Sequence, residues 1–207
     1  MPIEIDSNGI LDLINKDLSE FPEYLLDQNY RIVELYCEHN NLTELPNLPN
    51  CKVLRCDHNN LTELPNLPKC VKLFCYNNKL TSLPDLPKCN ILYCSQNNLT
   101  SLPDLPKCVE IHCGYNNLAL LPKLPNCGIL WCYYNNLNAL PDLPNCKELN
   151  CRNNNLTSLP KLPNCVKLFC DNNNLTSLPD LPNCMYLACS ENKLKRTDLE
   201  YWKSLYH

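Results

Sequence analysis

The stretch Cys51-Lys52-Val53-Leu54-Arg55-Cys56-Asp57-His58-Asn59-Asn60-Leu61-Thr62-Glu63-Leu64-Pro65-Asn66-Leu67-Pro68-Lys69 decides the fold, because its pattern returns along nearly the whole chain. With Cys51 as unit position 1, apolar residues fall at positions 1, 4, 6, 11, 14 and 17, and Asn falls at position 9. The cysteines mark the period. Cys37, Cys56, Cys75, Cys94, Cys113, Cys132, Cys151, Cys170 and Cys189 follow one another at 19 residues, all at position 6. Cys51, Cys70, Cys89, Cys108, Cys127, Cys146, Cys165 and Cys184 do the same at position 1, and the two series account for all 17. A fixed period of about 20 residues means a solenoid.

Two shorter periods alternate inside each unit. Leu54 and Cys56 lie two residues apart and share one face of an extended segment. From Leu61 the spacing becomes three, through Leu64, Leu67 and Cys70, which suits a polyproline II segment with three residues per turn. Pro65 and Pro68 fit there because that conformation needs no N–H donor, and they forbid an α-helix. Each unit is thus expected to be a short strand, a turn and a polyproline-like return. No unit can bury its apolar residues alone, whereas stacking contributes about 1.5–3 kcal/mol per large aliphatic side chain. The position-9 column, Asn40, Asn59, Asn78, Asn97, Asn116, Asn135, Asn154, Asn173 and Asn192, predicts an internal amide ladder that satisfies turn backbone groups.

This pattern resembles the leucine-rich-repeat consensus L-x-x-L-x-L-x-x-N-x-L, with Cys in place of two leucines. Its second half, Leu-Pro-x-Leu-Pro, resembles the short repeats of bacterial effector proteins of the leucine-rich-repeat class. The resemblance covers roughly residues 32–194 as nine tandem units. It implies a right-handed solenoid of the α/β-class superhelix type, mostly β and coil, with a parallel concave sheet and a polyproline-like convex side. The unit is a little shorter than is usual in those effectors. Neither their N-terminal amphipathic helical hairpin nor the ubiquitin-ligase domain of some members is recognisable, so the resemblance implies no ligase activity.

The ends are read as caps. Residues 1–31 hold a degenerate first repeat, marked by Leu11, Leu13, Leu18 and Phe21-Pro22, followed by a helical turn at Glu23–Gln28. In residues 195–207, Thr197 or Asp198 is expected to cap a short helix from Leu199 to Tyr206, with Leu199, Trp202 and Leu205 covering the last repeat.

Composition narrows the function. Pro occurs 18 times and Gly 3 times, 44% of residues are hydrophobic, and the net charge is -4, so the chain is neither a flexible linker nor disordered. So small a charge gives no field for phosphate backbones, and nucleic acid is not an expected partner. The N-terminus lacks the basic and apolar regions of a secretory signal, and no apolar stretch is long enough to span a bilayer. The expectation is a cytoplasmic protein, in a host cell if the effector resemblance extends that far.

Several signals have plainer explanations. A Cys-x4-Cys-x13-Cys spacing invites metal or iron–sulfur ligation, yet an even ladder does not converge on one centre. Free Cys behaves as a small hydrophobe, so buried thiols are expected. The odd count and the ~4.8 Å strand spacing argue against disulfides. The sequons, such as Asn60-Leu61-Thr62, recur because the repeat recurs. No nucleophile motif and no Gly-rich phosphate loop is present, so no catalytic residue, cofactor or enzyme activity is assigned. His39 and His58 share position 8 on adjacent units beside Glu38 and Asp57. A weak surface metal site is one reading of them, a polar rim the favoured one, and no metal ligand is assigned.

Function is therefore sought at the variable strand positions, expected to face solvent on the concave side. Position 5 runs Tyr36, Arg55, Phe74, Tyr93, His112, Trp131, Asn150, Phe169, Ala188, and position 7 runs Glu38, Asp57, Tyr76, Ser95, Gly114, Tyr133, Arg152, Asp171, Ser190. Position 8 adds Tyr115 and Tyr134. Phe74, Tyr76, Tyr93, His112, Tyr115, Trp131, Tyr133 and Tyr134 are predicted to form one aromatic binding patch, with Glu38, Asp57, Arg55, Arg152 and Asp171 as its charged rim. In the same region Ala119-Leu120 and Asn138-Ala139 replace the Thr-Glu or Thr-Ser of the other units. Stacking that only supports the sheet would explain position 5 as well, but not positions 7 and 8. The expected function is a non-enzymatic scaffold for a protein or extended peptide. A carbohydrate-binding module and a homodimer formed through the patch are the alternatives.

Overall fold

A computed structural model of the chain describes residues 3–205. Ten three-residue strands form one parallel sheet in sequence order. They are β1 (Ile10–Asp12), β2 (Glu34–Tyr36), β3 (Val53–Arg55), β4 (Lys72–Phe74), β5 (Ile91–Tyr93), β6 (Glu110–His112), β7 (Ile129–Trp131), β8 (Glu148–Asn150), β9 (Lys167–Phe169) and β10 (Tyr186–Ala188). From β2 onward the register pairs equivalent unit positions, as in Leu54 with Leu73 and His112 with Trp131. The first step is longer, since Ile10 pairs with Glu34, and the 3-10 helix Glu23–Arg31 takes up the extra residues. It extends past the single turn expected at Glu23–Gln28 and buries Leu25.

The alternation within each strand sets the layers. From β2 to β9 the central Leu or Ile is fully buried, while its two neighbours point to the outer face of the sheet. Cysteines at positions 1 and 6 and leucines at 11 and 17 fill the interior of the turns. Position 14 does less than the period of three implies. Leu102 and Leu178 are buried, but Leu45, Leu64, Leu83, Leu121, Leu140 and Leu159 pack against the core from its margin.

The asparagine ladder forms as expected. Asn97 Nδ2 donates to the carbonyls of Cys75 at 3.0 Å, Cys94 at 3.2 Å and Ser95 at 3.3 Å, and its Oδ1 accepts from Leu80 N–H at 2.9 Å. The side chain thus ties its own turn to the preceding one. A second, outer ladder had no counterpart in the sequence reading. Asn126, Asn145, Asn164 and Asn183, at position 19, each donate at 2.8 Å to a prolyl carbonyl one turn earlier. Those carbonyls belong to returns that pair with no strand.

Position 8 carries a backbone demand invisible in a hydrophobicity pattern. All nine of its residues, from His39 (φ 56°) through Tyr115 (φ 53°) and Tyr134 (φ 51°) to Glu191 (φ 52°), adopt left-handed backbone as the chain leaves the strand. Asn, which tolerates this region, stands there at 77, 153 and 172.

The C-terminal cap is helix α1 (Leu199–Ser204), begun by Asp198, whose carboxylate accepts from Tyr201 N–H at 2.9 Å. Trp202 is buried against the last turns and donates from Nε1 to Arg196 O at 2.9 Å. Leu205 does not share the covering role expected of it. It lies beyond the helix, 52% exposed, and Tyr206 falls outside the described residues. No helix among the described residues is long and apolar enough to cross a membrane.

Candidate functional site

The eight aromatic residues do not make one uniform patch. Parallel strands set equivalent side chains about 4.8 Å apart, a distance at which flat rings stack. Position 5 uses this fully. Phe74 meets Tyr93 edge-on at 5.0 Å, Tyr93 stacks on His112 at 4.0 Å, and His112 stacks on Trp131 at 4.2 Å. All four rings are half-buried. Glutamates at position 3 of the next unit hold their polar ends. Tyr93 Oη donates to Glu110 at 2.5 Å, and Trp131 Nε1 donates to Glu148 at 3.0 Å. Burial, then the bond to Glu110, pushes the Tyr93 phenol up to about 12. Burial lowers the His112 pKa against the opposing pull of Glu110 and Glu148, which favours the neutral ring. In this column the rings contact one another across the sheet and remain partly open to solvent.

Positions 7 and 8 differ. Tyr115 and Tyr134 stack at 4.5 Å, each 45% exposed, on the left-handed corner where the strand ends. Tyr133 meets Tyr115 edge-on at 5.4 Å and Tyr134 at 6.2 Å, closing a three-ring cluster. Gly114 makes room for it. A Cβ at Gly114 would stand 2.7 Å from Tyr133 Cζ, so the missing side chain is what lets that ring lie over the preceding turn. Beside the cluster is an open cleft of about 530 Å³ lined by Tyr115, Trp131, Tyr133, Tyr134, Arg152 and Phe169 among others. Arg152 lies over the Phe169 ring at 5.6 Å, and Asn150 accepts from its Nε at 3.1 Å. A larger cleft, about 690 Å³, sits on the return side by Glu20, Phe21, Leu26 and Leu45, away from this face.

Tyr76 belongs to neither group. It meets His58 edge-on at 5.2 Å, and burial and the nearby Asp57 carboxylate raise its pKa. The charges beside it are not the solvent-facing rim that was expected. Glu38 is 5% exposed and Asp57 is 1% exposed, because position-7 side chains at this end lie under their larger neighbours. Arg55 reaches Glu38 at 3.3 Å and lies over Phe74 at 5.3 Å. Arg152 and Asp171, by contrast, are partly exposed.

The thiols are enclosed. All 17 cysteines are free and buried. Burial pushes Cys51, Cys70, Cys146 and Cys165 up to about 12, and position-6 thiols such as Cys56 and Cys132 well above their ordinary value. A protonated, enclosed thiol is a poor nucleophile.

No protein-family model matches the chain, and no curated protein sequence does. Solved structures do. The leucine-rich effector protein YopM of Yersinia pestis is 38% identical with a TM-score of 0.79, over 91% of this chain and 56% of YopM. YopM of Yersinia enterocolitica is 36% identical with a TM-score of 0.72, over 89% of this chain and 47% of that one. The chain therefore spans about half the length of these relatives. A leucine-rich-repeat protein of Leptospira interrogans, 22% identical with a TM-score of 0.60 over 95% of this chain and 70% of its own, shares the fold. Together with the ten-stranded parallel sheet and the 19-residue turns, these matches show that the chain is a leucine-rich-repeat protein with short units like those of bacterial effectors.

Proposed function

We propose that the chain is a non-enzymatic scaffold that binds a protein, as an extended segment, across β6 to β9, with Tyr115, Tyr133 and Tyr134 as anchors. The observation that carries this reading is the tyrosine cluster itself. Two large rings stand about half exposed at a backbone position where Tyr is a poor choice, and the preceding unit gives up its side chain at Gly114 to seat the third. Sheet support accounts for the position-5 column but not for this arrangement. Tyr is also among the residues that dominate binding hot spots. The adjoining cleft, with aromatic walls and both the Arg152 guanidinium and the Glu148 carboxylate at its lining, suits an apolar or aromatic side chain flanked by polar groups. The effector character of the Yersinia relatives supports a partner in a host cell.

The test is capture from host-cell lysate, comparing wild type with a Tyr115→Asn/Tyr133→Ser/Tyr134→Asn variant of matched unfolding behaviour. These positions are preferred over Trp131, whose loss would also break the stack. A partner held by wild type and released by the variant supports the reading, whereas equal capture by both removes function from the cluster. Binding of the wild type to a glycan array would instead favour a carbohydrate ligand. A concentration-dependent dimer in light scattering, abolished by the variant, would favour self-association.

A further inference from the structure

At the other end of the same face, β2 and β3 bring together a group that the tyrosine cluster does not involve. His39 and His58 occupy position 8 on consecutive turns and stack at 4.3 Å with their planes 12° apart. Asp57, one residue before His58, turns its carboxylate toward them. One nitrogen from each ring and one carboxylate oxygen all lie within 4.8 Å of one another. The Asp57 side chain is the decisive observation. It is 1% exposed, yet neither oxygen accepts a well-formed hydrogen bond. A buried carboxylate without partners is costly, and chains keep such a group where a cation or a ligand compensates it.

The charge count agrees. Asp57 lies close enough to repel the buried Glu38 carboxylate, as does the exposed Asp12, and the Arg55 guanidinium is the counter-charge. One Glu38 oxygen is also buried without a partner. Two buried carboxylates against one guanidinium leave an excess negative charge that favours a bound cation.

We propose that His39, His58 and Asp57 bind a divalent transition metal of the zinc type, through two imidazole nitrogens and one carboxylate oxygen. This donor set suits Zn2+, Co2+, Ni2+ or Cu2+ over Ca2+ or Mg2+, which take oxygen ligands. Tetrahedral geometry with bonds of about 2.0–2.1 Å places donor atoms about 3.4 Å apart, so the donors must close in by an ångström or so. His39 is exposed and His58 half-buried, so their rings are free to tilt, while Asp57 is already held in place. Asn77, whose side chain touches His58 Nδ1, can fix the imidazole tautomer once its amide presents oxygen to that nitrogen. The Tyr76 hydroxyl lies near the carboxylate without a well-formed hydrogen bond to it. Three protein donors leave a fourth position for water or for a group on a bound partner.

The experiment uses the whole chain, kept reduced, titrated with Zn2+ in a calorimeter and with Co2+ in a spectrophotometer. The expected result is one metal per chain in the micromolar range. Cobalt should give visible bands without the near-ultraviolet thiolate band that cysteine ligation would produce. His39→Gln, at an exposed ring, and Asp57→Asn should each weaken binding at least about tenfold. In the folded protein, well below its melting temperature, zinc should shift the imidazole resonances of His39 and His58 and leave those of His112 unmoved. Failure to bind, binding that survives either substitution, or a thiolate band would overturn the proposal.

Discussion

Single side chains here carry either the framework or the face, seldom both. Asn97 belongs to the framework. Asn97→Ala would leave Leu80 N–H without its acceptor in the interior, while Asn78 and Asn116 still donate to the carbonyls of Cys75 and Cys94. At about 1–3 kcal/mol for one unsatisfied buried group, the expected loss is about 1–3 kcal/mol in urea unfolding. Gly114 belongs to the face. Gly114→Ala places its methyl against the far end of the Tyr133 ring, which can swing away. The cost in stability should stay below about 1 kcal/mol, while partner capture falls as it does without the tyrosines. Tyr115→Asn/Tyr134→Asn sets a better left-handed residue at two corners but removes a stacked pair. These effects oppose each other, so unfolding should change by less than about 1 kcal/mol while binding is lost. An unfolding shift of several kcal/mol would instead mean that the rings hold the corner together.

Among the elements, the caps are where the repeat rule stops and ordinary packing begins. The interior strands are only three residues long and owe their stability to neighbours on both sides, so a terminal turn without a cap exposes its leucines and cysteines. Trp202 on α1 meets that need at the C-terminal end. Trp202→Ala should cost about 2–4 kcal/mol. It should also raise amide exchange in β9 and β10 first, leaving β4 to β7 protected. Uniform exchange along the solenoid would show that the helix stabilises the whole array rather than its last turns. The capping helix was legible from Asp198 and Trp202. Its end was not, because nothing in the spacing of Leu205 shows whether the chain turns toward or away from the last repeat.

For the molecule as a whole, two continuous cysteine columns make the core sensitive to alkali in a way that a leucine core is not. An ordinary thiol titrates near 9.0, whereas those of Cys51, Cys70, Cys146 and Cys165 are raised to about 12 by burial. Above 9.0 the unfolded chain releases these protons and the folded chain does not, so the unfolded state is favoured. The stability associated with the thiols is fully present below 9.0 and is lost as pH rises toward about 12. Thermal melts should therefore show a steep fall in melting temperature from about pH 9 upward. At neutral pH, thiol reagents should label almost none of the 17 cysteines until denaturant is added. Rapid labelling of the native protein would contradict the closed core.

The period of 19, a short strand in each unit, the proline-bearing return and the internal asparagine ladder were all determined by the sequence, whereas the end of the strand at position 5 was not. The physical reason is that identical units can bury the same residues only by stacking in register, so one-dimensional spacing fixes the framework. Tertiary structure alone decided what the face became. Neighbours across the sheet are 19 residues apart in the chain, and whether their rings stack, splay or cover a carboxylate depends on side-chain packing between turns. That packing divided the eight aromatics into a supporting column, an exposed tyrosine cluster and the isolated Tyr76. It also buried Glu38 and Asp57, which spacing alone placed on the rim, because charge in a sequence says nothing of what will lie above it.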